Sequence, residues 1–317
     1  MQKIIVMLAA SLALCSCGGK AVSADRADAE TQAALPAVPF SADSAYSYIE
    51  KQVAFGPRVP NTEAHRRAGD WLVAELSRHG ADVSEQRAVV KAFDGTPLSM
   101  RNIFGRFNTD AEERTLFVAH WDCRPWADED ADPERAGRPV DGANDGASGV
   151  AVLLEIARAA GANPSPKGID ILFVDAEDWG SESDEDSWAL GARHFVANMP
   201  EGYTPSEVIV LDMVGGTGAV FPREYFSQQS DPALLDRIYT AAAAAGYADR
   251  FPNRLGGAVT DDHRQFIDAG IPAVDIIDYR DGFHPAWHTG ADDMTAIDRS
   301  TLEAVGQTML NLIYGTK

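Results

Sequence analysis

Short apolar runs that end on an acid or a histidine recur down this chain and limit its fold more than any other feature. Residues 116–119 lead into His120 and Asp122, residues 169–174 into Asp175, Glu177 and Asp178, and residues 208–211 into Asp212. Runs this short and this rich in Ile, Val and Leu suit buried strands, whereas apolar residues at helical spacing fill the segments between them. The pattern predicts strands over 81–91, 100–107, 116–120, 169–175, 207–213 and 272–277. It predicts helices over 44–53, 62–78, 150–160, 187–198, 232–245 and 300–314, with Gly80 stopping the second. Alternation of strand and helix implies an α/β fold: a single domain with a mostly parallel, mixed central sheet flanked by helices. Parallel strands end on one edge, so the acids and histidines that close them would be gathered there.

A chain of 317 residues, 45% of them hydrophobic, is long enough to bury one large core. Its charge, 27 − 48 = −21, repels phosphate backbones and anionic bilayers, so nucleic acid is not an expected partner. Lys3 and the apolar residues 4–14 read as an export signal too short to span a bilayer. Leu14 and Ser16 precede Cys17 as in the lipobox of bacterial lipoproteins, with Cys15 next in line and an ordinary secretory signal as the alternative. The expected organisation is a signal peptide over 1–16, a flexible tether over 17–39 and a catalytic domain over 40–317. The protein would then be exported, lipidated on Cys17, and held at a membrane only by that lipid, facing the periplasm or the cell exterior. Cys123 would be the sole remaining thiol, so no disulfide supports the fold.

Carboxylates and imidazoles at one sheet edge suit zinc, which takes three protein ligands in catalytic sites and keeps a fourth position for substrate. A further carboxylate beside a ligand, as Glu177 stands beside Asp178, can move protons without binding the metal. Asp145 lies in the small-residue segment GANDGASG at 142–149, at the entrance to a helix. Five of the six tryptophans, Trp121, Trp126, Trp179, Trp188 and Trp287, fall near these positions and could wall an uncharged pocket. The irregular stretch 122–141 is long for a loop in a compact domain, as functional loops often are.

The segments AHWD (119–122), GANDGASG (142–149), DAED (175–178), LDMVG (211–215), DDH (261–263) and WHT (287–289) are similar in order and spacing to the zinc aminopeptidase-like family. Within it they look most like the bacterial glutaminyl-peptide cyclotransferases, or glutaminyl cyclases, with RPWADEDADP (124–133) as the cyclase-like stretch. The resemblance implies a monomer that cyclises the amino-terminal glutamine of peptides and proteins and holds one Zn2+ through Asp145, Asp178 and His288. It also implies that Glu177 shuttles protons, that Asp212 is a second acid in the pocket, and that His120 and Asp261 are second-metal or outer positions. The pocket would be walled by Trp287, Phe283, Trp188 and Trp179. Two departures stand out: Asp178 replaces the glutamate frequent in relatives, and Asp275 stands where some carry histidine, with His263 as a nearby donor. Two other readings stay open. A two-zinc aminopeptidase would use His120, Asp145, Asp178, Asp212 and His288, and a silent binding lipoprotein would have no use for Glu177.

Overall fold

The computed structural model describes residues 38–280 and 282–315. Cys17, the signal segment and all of the expected tether before Val38 lie outside the described residues. Val38 is already tied to the body, its carbonyl accepting from Gln307 Nε2 at 3.2 Å.

Six strands form one sheet in the order β1-β2-β4-β3-β5-β6. They are β1 (Asp82–Lys91), β2 (Pro97–Phe107), β3 (Arg114–His120), β4 (Gly168–Val174), β5 (Glu207–Asp212) and β6 (Ala273–Ile277). The β1/β2 and β2/β4 pairs are antiparallel, and β4/β3, β3/β5 and β5/β6 are parallel, which gives the mixed, mostly parallel sheet expected. Strands β3 to β6 are buried along their whole length because helices cover both faces.

The period-2 alternation of a strand divides their side chains between two cores. Phe117, Ile171, Phe173, Ile209, Leu211 and Ile276 face the helices α1 (Ala42–Val53), α2 (Glu63–Arg78), α3 (Ala147–Ala162), α6 (Pro232–Ala244) and α8 (Arg299–Tyr314). Leu116, Val118, Leu172, Val208 and Val210 face α4 (Leu190–Ala197) and α7 (Asp262–Asp268). The central helix α3 is buried nearly all round, and its small residues let β3, α1 and α8 close in on it.

The helix expected over 187–198 is broken. Glu185–Ser187 is a 3-10 turn, Trp188 is extended, Ala189 is left-handed at φ 55°, and α4 begins only at Leu190. Two short helices, α5 (Tyr225–Ser230) and α7, escape a periodicity search because six or seven residues barely repeat. Each is started by an acid of its own, Glu224 accepting from the N–H groups of Phe226 and Ser227, and Asp261 from Asp262.

Candidate active site

The carboxyl ends of β4, β3 and β5 place Asp178, His120 and Asp212 side by side, and the loop after β6 brings His288 over them. Asp145 enters from the start of α3. Gly146, at φ 90°, makes that entry possible, since a Cβ there would stand 2.4 Å from the Asp122 carbonyl oxygen.

Asp145 joins two groups. His288 Nε2 lies 3.1 Å from Asp178 Oδ1 and 3.6 Å from Asp145 Oδ2, while His120 Nε2 lies 2.9 Å from Asp145 Oδ1 and 3.2 Å from Asp212 Oδ1. In each group the potential ligand atoms lie within 4.8 Å of one another, and all five side chains are buried. The two groups differ in how well the protein itself satisfies them. His120 hydrogen-bonds Asp212, whereas both carboxylate oxygens of Asp178 are buried without a hydrogen-bond partner. Two carboxylates and an imidazole with an orphaned anion among them are a donor set that fits zinc.

The surroundings fix these groups. Asp122, wholly buried, accepts from the backbone N–H groups of Glu177 and Asp178. Asp292 does the same for Asn144 and Asp145. Arg58 donates to the carbonyls of Trp121, Asp141 and Gly142, clamping the segment before Asp145. The long loop contributes Arg124, which donates to the carbonyls of Asp178 and Gly180, and Asp128, whose Oδ1 lies 3.5 Å from His288 Nδ1. A carboxylate behind a histidine ligand is the usual means of fixing its tautomer. Arg58, Asp128 and Asp292 were not foreseen; nothing in their local sequence separates them from solvated loop residues. Of the six non-glycine left-handed residues among those described, four crowd this edge: Ala176, Ala189, Met213 and His288. The other two are asparagines, which tolerate that conformation. Strain of about 1–3 kcal/mol per residue persists where tertiary packing over-determines it, as at active sites.

A cleft of 270 Å³ opens onto Asp145, Asp178 and His288 and is also lined by the acids Glu177, Glu182, Glu185, Asp212 and Asp261 and by Met213, Val259, Ile277, Tyr279, Phe283, Trp287 and Trp188. Trp287 stacks on both Phe283 and His288, and Trp188 lies parallel to His288 on another side. Trp179 does not line the cleft. It packs with Ala92, Leu98, Met100 and Ala176 under the β1–β2 turn, edge-on to Trp126, because the turn after β4 points it away from His288. Asp261 belongs to neither Asp145 group, but it lines the cleft and its charge adds to the burial that raises the Asp212 carboxyl.

Burial and the nearby charge of Asp178 push the Glu177 carboxyl well above the usual range. Burial also raises Asp212, to about 7, against the pull of His120. For His288, burial favours the neutral ring, but the carboxylates of Asp178 and Asp128 outweigh it and hold it at about 9. A dication beside these groups would favour their deprotonated forms.

Residues 102–313 match the model of Peptidase family M28. The glutaminyl cyclase of Tannerella forsythia superposes with a TM-score of 0.86 at 48% identity, over 88% of this chain and 100% of that one. The glutaminyl cyclase of Bacteroides thetaiotaomicron, solved with N-acetylhistamine, gives 0.86 at 45% identity over 89% and 100%. Aminopeptidase YwaD of Bacillus subtilis is 27% identical over 81% of this chain, which spans only 54% of that protein. The sheet, the ligand edge and these likenesses agree: the chain belongs to peptidase family M28, the zinc aminopeptidase-like family.

Proposed function

We propose that this protein cyclises the amino-terminal glutamine of peptides and proteins to pyroglutamate, releasing ammonia. The observation that carries the reading is the cleft itself. It is small, is lined by Met213, Val259, Ile277, Phe283 and Trp287, which suit the uncharged part of a substrate, and is otherwise lined by acids, among which Glu177 stands with Asp145, Asp178 and His288. Likeness to named cyclases over nearly nine-tenths of the chain supports it.

Zinc held by Asp145, Asp178 and His288 would polarise the side-chain carbonyl and stabilise negative charge on its oxygen. The substrate's α-amine attacks its own amide carbon, a C–N bond forms to close a five-membered lactam, and the bond to the amide nitrogen breaks. Glu177, whose carboxylate makes no hydrogen bond among the described residues, is free to take a proton from the attacking amine and return it to the departing ammonia. Asp212, held by His120, sits where it can orient the amine. Trp287 and Phe283 exclude water and restrict the glutamine rotamer, which favours an already intramolecular attack.

One zinc is expected at this edge, held by Asp145, Asp178 and His288, as the resemblance of the 124–133 loop to the cyclases implies. The competing reading is a two-zinc aminopeptidase, favoured by the convergence of His120, Asp145 and Asp212, with Asp145 bridging and Glu177 activating water. Incubating the purified full-length protein with a glutaminyl peptide and with leucyl amide separates them. Ammonia without peptide cleavage supports the cyclase, and released leucine supports the peptidase.

We also propose the 1–16 signal, the tether and acylation at Cys17. No helix among the described residues is long and apolar enough to cross a membrane. Cys17→Ser should free the protein from membranes, and continued acylation of that variant would move the lipid elsewhere.

A further inference from the structure

The stretch 122–141 holds no helix or strand, yet residues 124–130 are fastened to both of the loops that carry Asp178 and His288. Arg124, 2% exposed, is where the fastening begins. Its Nη1 donates to the carbonyls of Asp178 and Gly180 at 3.0 and 2.9 Å, while Nε and Nη2 grip the two oxygens of Asp128 at 3.1 and 2.5 Å. The guanidinium carbon also lies over the rings of Trp126 and Trp188, 4.9 and 4.8 Å from their centroids. Asp128 Oδ1, which accepts from Arg124, is the same atom that stands 3.5 Å from His288 Nδ1. Trp126 Nε1 donates to the other oxygen of Asp128. Two further ties run beside this contact, from Glu129 N–H to the His288 carbonyl and from Gly290 N–H to Asp130 Oδ2.

The pair joined in this way has no other reason to meet. Asp178 follows β4 and His288 follows β6, and two strands, β3 and β5, separate those in the sheet, so strand pairing does not set the distance between them. Each is also awkward to hold. Both oxygens of Asp178 are buried without a hydrogen-bond partner, and His288 is left-handed at φ 52°. Such conformations persist only where the surroundings over-determine them.

We propose that Arg124 is a positioning residue of the zinc site, setting Asp178 and His288 at ligating distance, the first through its backbone carbonyl and the second through Asp128. A planar fork suits the task, because N–H groups on all three nitrogens are engaged with three partners. Lysine presents a point charge with three donors on a single nitrogen and cannot reproduce that geometry. The segment RPWAD at 124–128 thus supplies the guanidinium, a ring packed on it and the carboxylate behind His288. The inference rests on zinc binding by Asp145, Asp178 and His288, not on which reaction the zinc serves.

The test is the zinc affinity of the full-length holoprotein, measured by competition with a chelator of known affinity, with Tm recorded on the same samples. Loss of groups that orient metal ligands costs about 10- to 100-fold in affinity, and a weakening of that size is expected in Arg124→Lys and in Asp128→Ala. Because Arg124 reaches His288 through Asp128, the double variant should lose less than the product of the two single losses. Arg114→Lys is the control: it disturbs a buried ion pair with Asp170 at the opposite end of β3, so Tm should fall while zinc affinity stays at the wild-type value. Affinities within about two-fold of wild type in Arg124→Lys and Asp128→Ala overturn the proposal. An equal loss in Arg114→Lys also overturns it, since zinc would then only follow stability. Losses that multiply in the double variant overturn the route through Asp128. Should Arg124→Lys not fold, Arg124→Gln, which keeps a planar pair of donors, takes its place in the same comparison. A protein that shows this pattern but releases no ammonia from glutaminyl peptides refutes the cyclase reading and leaves the role of Arg124 standing.

Discussion

Replacing Glu177 by Gln separates proton transfer from metal binding and from folding. The side chain keeps its shape, and its carboxylate has no hydrogen-bond partner among the described residues, so no donor is stranded by the change. Because burial already disfavours the charge of the native carboxyl, an uncharged side chain of the same shape fits the site. Stability should therefore be unchanged or slightly higher, within about 0.5 kcal/mol, as for substitutions that break no buried contact. Zinc should remain, since Asp145, Asp178 and His288 are untouched. Turnover is a different matter. General acid and base catalysis supplies roughly 10²- to 10⁴-fold, and at about 1.36 kcal/mol per decade the barrier should rise by roughly 2.7 to 5.4 kcal/mol. The assay is ammonia release from a glutaminyl peptide at saturating substrate, alongside zinc content and Tm of the same sample. Loss of zinc would make Glu177 a ligand. Zinc and full turnover together would refute the assigned role.

Arg58→Ala should leave the carbonyls of Trp121 and Asp141 without their donor, whereas that of Gly142 keeps the Ala147 N–H. At about 1–3 kcal/mol per stranded group, urea unfolding should show a loss of at least about 2 kcal/mol, and a loss under 1 would mean that the clamp is not rigid. Gly149→Ala would place a Cβ 2.1 Å from the Leu211 carbonyl oxygen, just before Asp212. Overpacking of about 1–3 kcal/mol and a fall in turnover should appear together, and wild-type values for both would disprove the close approach of α3 to β5. Asp298 caps α8, and although burial would raise its carboxyl, hydrogen bonds from Ser300 hold it below the usual aspartate range. A depressed pKa means that its contribution is present above the ordinary aspartate value of about 3.9 and fades as pH falls below it. Asp298→Ala should thus cost about 1 kcal/mol at pH 7, with the gap in Tm closing toward pH 2.5; a gap independent of pH would rule out an ionised cap.

Much of this protein was legible in its sequence, because strands and helices announce themselves by local period. All six strands appear within a few residues of where apolar runs predict them, as do α1, α2, α3, α6 and α8. The ligand-type residues were legible for the same reason: His120, Asp178 and Asp212 close or follow strands, and parallel strands must end on a common edge. What local pattern could not supply is whatever depends on partners distant in sequence. The break at Ala189 follows from contacts with Glu177 and Ala176, whose carbonyls accept from Ala189 and Leu190. That break sets Trp188 against His288. Trp179, one residue past Asp178, turns under the β1–β2 hairpin instead of into the cleft, a choice made by packing 80 residues away. Sequence joined His263 and Asp275 only through the resemblance to the cyclases. Only the tertiary structure brought them together with Asp261 and Glu224, because burial and orientation are properties of the assembled core, not of any one segment.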